Sequence, residues 1–184
     1  MNSRLFSLVL FFLSFGLFTS ASPVNGTAGI EARDAEKRAV AVMSIVGNIP
    51  TQVATVMSTF GPTNADSHIL AISDVFTQAA TALRTTGPVI LSTADKNTVA
   101  KNVASAINSA ATQMAKVPQT AAVISASVRL DAQIKIFLDL LSIIVIGIIP
   151  LLAKLIIDIH ILLSIHLVVV ANIFIDLLGI IIIL

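Results

Sequence analysis

Along the middle of the chain, apolar residues recur at steps of three and four. Val42, Ile45, Val46, Ile49, Val53, Val56, Met57 and Phe60 form the first stripe, the spacing of one helix face. Pro50 interrupts it and predicts a kink or break near Ile49, because proline removes a backbone donor and clashes with the preceding turn. Gly61-Pro62 closes the segment. A second stripe carries Ile69, Ile72, Phe76, Ala79 and Leu83, with Thr63, Asn64 or Asp66 as candidate N-caps and Gly87-Pro88 as the stop. A third opens on Ser92-Thr93-Ala94-Asp95, a capping-box variant in which Asp95 takes the acidic role. Its face is Val99, Val103, Ile107, Ala110 and Met114, and Pro118 follows its end. The fourth begins after Pro118 and carries Ile124, Val128, Ile134, Phe137 and Leu141.

From Ile136 the pattern loses its polar face. Beyond that point the charged residues are Asp139, Lys154, Asp158 and Asp176, set among isoleucine, leucine and valine. On one long helix from Leu151, Lys154, Asp158, Asn172 and Asp176 would share a narrow sector. Lys154 and Asp158 would also be spaced for an i,i+4 ion pair. A strand alternative exists, since Asp158, His160, Ser164 and His166 alternate with apolar residues. The lack of turn signals between Leu151 and Phe174 favours helix. The predicted fold is therefore all-α: a bundle of about five helices with a very apolar, long C-terminal helix or helical hairpin.

The first residues read as a targeting segment. Arg4 supplies a positive start, Leu5 to Phe18 an apolar run, and Thr19, Ser20, Ala21 and Ser22 small residues for cleavage. Residues 1–22 are thus a predicted signal peptide. A polar stretch follows to residue 38, with a glycosylation sequon at Asn25-Gly26-Thr27 and a dibasic Lys37-Arg38 ending. That ending resembles the site cut by kexin-type processing proteases, which would make residues 23–38 a propeptide. Residues 39–184 are then the helical domain, with residues 136–184 its strongly apolar part.

Composition narrows the chemistry. Of 184 residues 56% are hydrophobic and 11% charged, where a soluble domain usually carries about 25% charged. A net charge of +1 without any basic cluster points away from nucleic acid. Cysteine is absent, which removes thiol catalysis and zinc–thiolate sites. His160 and His166 diverge on a helix and His68 is remote in sequence, so no metal site is expected. A Ser164–His160–Asp158 arrangement can be drawn, but no nucleophile elbow or glycine-rich oxyanion turn surrounds Ser164. Neither a phosphate-binding loop nor a dinucleotide fingerprint occurs. The chain is expected to be neither an enzyme nor a cofactor carrier.

The order of features carries a resemblance. A signal peptide and a short dibasic-ended leader precede helices rich in alanine, serine and threonine, with a break at Thr85-Thr86-Gly87-Pro88 and a helix start at Ser92 to Asp95. This is similar to the fungal hydrophobic-surface-binding protein A family, which includes cell wall galactomannoproteins. The resemblance covers roughly Ala39 to Leu141 and rests on pattern, with no single diagnostic motif. It implies a secreted or wall-associated helical bundle that adsorbs to hydrophobic surfaces or holds lipid between its helices. Related proteins are thought to help secreted esterases reach solid apolar substrates, or to reside in the mannoprotein layer. The tail after Ile136 departs from the family in being much more apolar.

Two readings of that tail follow, with a third for the bundle as a whole. As an adsorbing surface the tail offers Ile143, Ile144, Ile148, Leu151, Leu155, Ile159, Leu162, Val169 and Phe174. As a membrane anchor it would form a hairpin of Ile136 to Ala153 and Leu155 to about Phe174, broken at Gly147 and Pro150. That places Asp158, His160 and His166 in lipid, at about 3 kcal/mol for a central Asp. The third reading is a carrier with a fatty acid inside the bundle.

Overall fold

The local rules that start a helix are visible where the chain obeys them. Ser92 accepts a hydrogen bond from the Asp95 amide at 3.1 Å, and its hydroxyl donates to the Asp95 carboxylate at 2.7 Å. The expected capping box therefore forms, with the acid reaching the cap's hydroxyl. Thr120 caps the following helix through the Val123 amide. Asn64 caps without its side chain. Its Oδ1 instead accepts from Gly61 N–H, and its amide donates to the Thr59 carbonyl, which ties the preceding turn to the helix start.

The structure is a computed structural model that describes residues 27–156 and 158–179. The predicted signal segment and Asn25 lie outside the described residues. By its contacts the chain divides into two units, Met1–Ala32 and Arg33–Leu184, and the bundle is the second. Among the described residues there are seven helices and no strand: α1 Thr27–Met57, α2 Ala65–Arg84, α3 Thr93–Met114, α4 Ala121–Ile144, α5 Ile148–Ala153, α6 Ile159–Ser164 and α7 Val168–Leu178. The fold is an all-α helical bundle, as the periodicity predicts.

Four expectations are corrected. Helix α1 runs through Pro50 without a break. Val46, Ile49 and Val53, flanking the proline on both sides, are all buried, so packing holds the helix where local propensity would interrupt it. Ile134, Phe137 and Leu141 of the α4 stripe are buried as expected, but Val128 is exposed and Ile124 only partly buried, and the first half of the stripe runs through Val123, Ser127, Leu130 and Asp131. The long C-terminal helix or hairpin is replaced by α5, α6 and α7, of 6, 6 and 11 residues. Gly147, with φ at 82°, adopts a left-handed turn that separates α4 from α5, at the predicted break. Asp158 does not extend a helix to pair with Lys154; it caps α6 by accepting from the His160 amide at 2.8 Å.

Helices α2 and α4 make the most extensive contact in the bundle. Arg129 meets Asp74 at 3.8 Å, and Thr77 donates to Gln133 at 3.0 Å. Positions three apart on one helix thus meet positions four apart on the other, in the same order, so the two run parallel. Phe76 and Phe137 meet edge to face between them, with centroids 5.5 Å apart. Helix α3 packs against α5 and α6, while α7 packs against α4, α5 and α6.

Two polar side chains fix the apolar tail. Asn108 on α3 donates to the Leu155 carbonyl at 2.9 Å, 47 residues away in sequence. Asp131 on α4 accepts from the amides of Val169 at 2.8 Å and Val170 at 2.9 Å. Leu167, the residue at the N-cap of α7, has no capping side chain of its own, and Asp131 takes that role from 38 residues away.

Candidate functional site

An apolar corner lies where the α2–α3 connection meets the end of α4. Gly87, at φ 69°, turns the chain after α2, and Val89 then donates to the Ile144 carbonyl at 2.9 Å. This one hydrogen bond joins segments 55 positions apart in sequence. On one side of it, Val89 and Leu91 are buried while Ile90 between them is 97% exposed. On the other side, Ile143 and Ile146 flank buried Ile144 and Val145 and are themselves 64% and 75% exposed. Three isoleucines therefore face water around a single backbone contact. An isolated exposed isoleucine is ordinary, and several gathered at one place is not.

The nine sequence-predicted surface residues divide. Ile144, Ile148, Leu162 and Phe174 are buried in the core and present nothing outward. The short helices fold back on α3 and α4, so four of these nine apolar positions become core. Leu151, Leu155 and Ile159 are partly buried against that core. Ile143 and Val169 are exposed, and only Ile143 belongs to the corner. Sequence reasoning missed Ile90 and Ile146. The signal for Ile90 was available: an extended Val-Ile-Leu run after Gly87-Pro88 alternates its side chains between core and water.

The start of α7 holds a second group of interest. Asp131 is 4% exposed. Burial, the dominant influence, pushes its carboxyl above the usual 3.8, against the opposing pull of the Val169, Val170 and Val168 amides. His166, two residues before the helix, sits at φ 65°, and its Nδ1 is buried without a hydrogen-bond partner among the described residues. Asp131 was also missed by sequence reasoning, although an acid inside the apolar stripe of α4 was its signal.

The remaining polar candidates have structural employment. Ser164 donates to the Ile161 carbonyl at 2.8 Å, and His160 faces Asp158 at 3.4 Å. The hydroxyl is thus turned to backbone and the three do not form a relay. His68 bonds Thr59 and the Asn64 carbonyl and meets the edge of Phe60. Among the described residues no group of three His, Asp or Glu side chains is placed to hold a metal ion. Lys37 and Arg38 are exposed on α1, and Lys37 lies 3.8 Å from Asp34.

No protein-family model, curated protein or solved structure matches the chain.

Proposed function

We propose that this chain is an exported or wall-associated helical bundle that binds hydrophobic surfaces or lipid, acting through area rather than through catalysis. The observation that carries the reading is the corner of Ile90, Ile143 and Ile146, the three most exposed large apolar residues among those described. Apolar area removed from water is worth about 25 cal/mol per Å², so a rigid group of exposed isoleucines favours an apolar phase without any specific chemistry. The apolar run at residues 5–18 and the resemblance across Ala39 to Leu141 support the exported setting. An esterase delivered to a solid apolar substrate is the kind of partner that resemblance implies.

The C-terminal hairpin anchor has less support, because α5, α6 and α7 are each well short of the roughly 20 residues a span needs. Helix α1 is long and apolar enough from Glu31 to Met57, but Val42, Val46, Ile49 and Val53 on it are buried in the bundle.

The test is adsorption of the purified protein to octadecyl-coated beads, compared with hydroxyl-coated beads of equal area. Retention on the octadecyl surface alone is expected. Equal retention on both, or on neither, would remove the reading.

A further inference from the structure

We propose that α7 is a strap, latched by Asp131 and hinged at His166, whose release adds its own buried face to the apolar surface of the bundle. The inference rests on the surface-binding reading and supplies its moving part.

The geometry of the latch is specific. The start of α7 lacks a cap of its own, and its first free amides are held by a carboxylate on another helix. Break that contact and nothing local replaces it. Helix α7 is also amphipathic in the sense an opening strap requires. Leu167, Val170, Ala171 and Phe174 face inward and are fully buried, whereas Asn172, Asp176 and Leu177 face water. Release would therefore expose a continuous apolar face at one-turn spacing.

The joint carries two costs that opening relieves. His166 occupies a left-handed backbone conformation that a side chain with a Cβ disfavours. Its Nδ1 is buried without a partner among the described residues. Asp131 adds a third, because burial outweighs its amide contacts and pushes the carboxyl above its ordinary value. Among the described residues no nearby charge offsets that burial. Arg129 on the same helix pairs with Asp74 of α2, Lys135 pairs with Asp139, Asp176 on α7 is exposed, and Lys154 after α5 is exposed. The closed strap is thus held by directional contacts over a strained joint, the arrangement expected of an element that opens below the threshold of global unfolding.

The experiment compares amide hydrogen exchange of α7 with that of α2, and retention on octadecyl beads, in full-length wild type, Asp131→Ala and His166→Gly. Loss of the cap should speed exchange at Val170 to Ile175 by about five- to ten-fold while α2 is unchanged, and should raise bead retention. Glycine at 166 removes both the backbone cost and the orphaned ring nitrogen, and should slow α7 exchange about three-fold and lower retention. A merely destabilised bundle would move both variants in one direction and would move α2 with α7. Exchange of α7 in step with α2 throughout, or altered exchange with unaltered retention, overturns the proposal. Should Asp131→Ala not fold, His166→Gly decides alone: unchanged or faster α7 exchange overturns it. If even wild type is not retained, the surface reading has failed, and the exchange pattern still settles whether the strap exists.

Discussion

Replacing Ile90, Ile143 and Ile146 together by serine puts a number on the apolar corner. Their exposures of 97%, 64% and 75% amount to roughly two fully exposed isoleucine side chains, each worth about 1.5–3 kcal/mol when buried. Contact with an apolar phase therefore draws on the order of 3–6 kcal/mol from these residues, before the cost of immobilising the molecule. That cost is common to wild type and variant and cancels in the comparison. A loss of about 3 kcal/mol, allowing for partial engagement, corresponds to on the order of a hundred-fold in the partition constant on octadecyl beads. The fold should tolerate the change, since each position faces water and surface substitutions of this kind shift stability by about 0.5 kcal/mol or less. Thermal unfolding of the variant verifies that. Val128→Ser serves as the control, being exposed on α4 outside the corner. Adsorption of the triple variant within about two-fold of wild type, or an equal loss from Val128→Ser alone, would refute the assignment of binding to this corner.

Phe137→Ala removes one ring of the fully buried Phe76–Phe137 pair and is expected to cost about 3–5 kcal/mol by urea denaturation. Ser92→Ala removes the cap of α3 and should cost about 1 kcal/mol in the same assay. Because burial raises the Asp131 carboxyl above 3.8, the folded chain holds that proton more tightly than the unfolded one. Its contribution to stability is therefore fullest at low pH and is lost as pH rises from the unfolded value through the raised folded one. Urea titrations across that window should show the trend in wild type, and Asp131→Asn should abolish its share. If the dibasic pair is cut, N-terminal sequencing finds Ala39. The trimmed chain should unfold at the same urea concentration, because residues 31–38 are exposed and the first buried core residue among those described is Val42.

The stripes on α2 and α3 were fully legible: Ile69, Ile72, Phe76, Ala79 and Leu83, then Val99, Val103, Ile107, Ala110 and Met114, are all buried. In both helices a wide polar face gives the period something to contrast with. Beyond Ile136 that contrast disappears, and with it the power of periodicity to place boundaries. Left-handed residues stand there at Gly147, His166 and Gly179, and only the glycines announce themselves in sequence. The corner was half legible for a related reason. Ile143 stood in an apolar run and was named, while Ile90 and Ile146 became significant only once Val89 met Ile144. That contact depends on α2 and α4 running parallel, which brings their far ends to the same side of the bundle, a fact of topology that no local pattern encodes.

The two polar pins answer a difficulty that the apolar tail creates for itself. Burial of isoleucine, leucine and valine is favourable in almost any arrangement that excludes water, so a segment made of little else is drawn to the bundle without being told where to sit. A hydrogen bond has direction, and an unmade one in a dry site costs about 1–3 kcal/mol. Asn108 therefore selects the position of the Leu155 carbonyl, and Asp131 selects the position and direction of the α7 N-terminus, from among packings that area alone would leave nearly equal. The same reasoning separates the pins in their consequences. Asn108 is neutral and donates to a carbonyl, so its contact brings no charge out of water. Asp131 brings a carboxyl into the core against its own desolvation, and the Val169 and Val170 amides answer it with two directed hydrogen bonds. The proposed release of α7 would open the tail from its end, which is the order in which added apolar area would be presented to a surface.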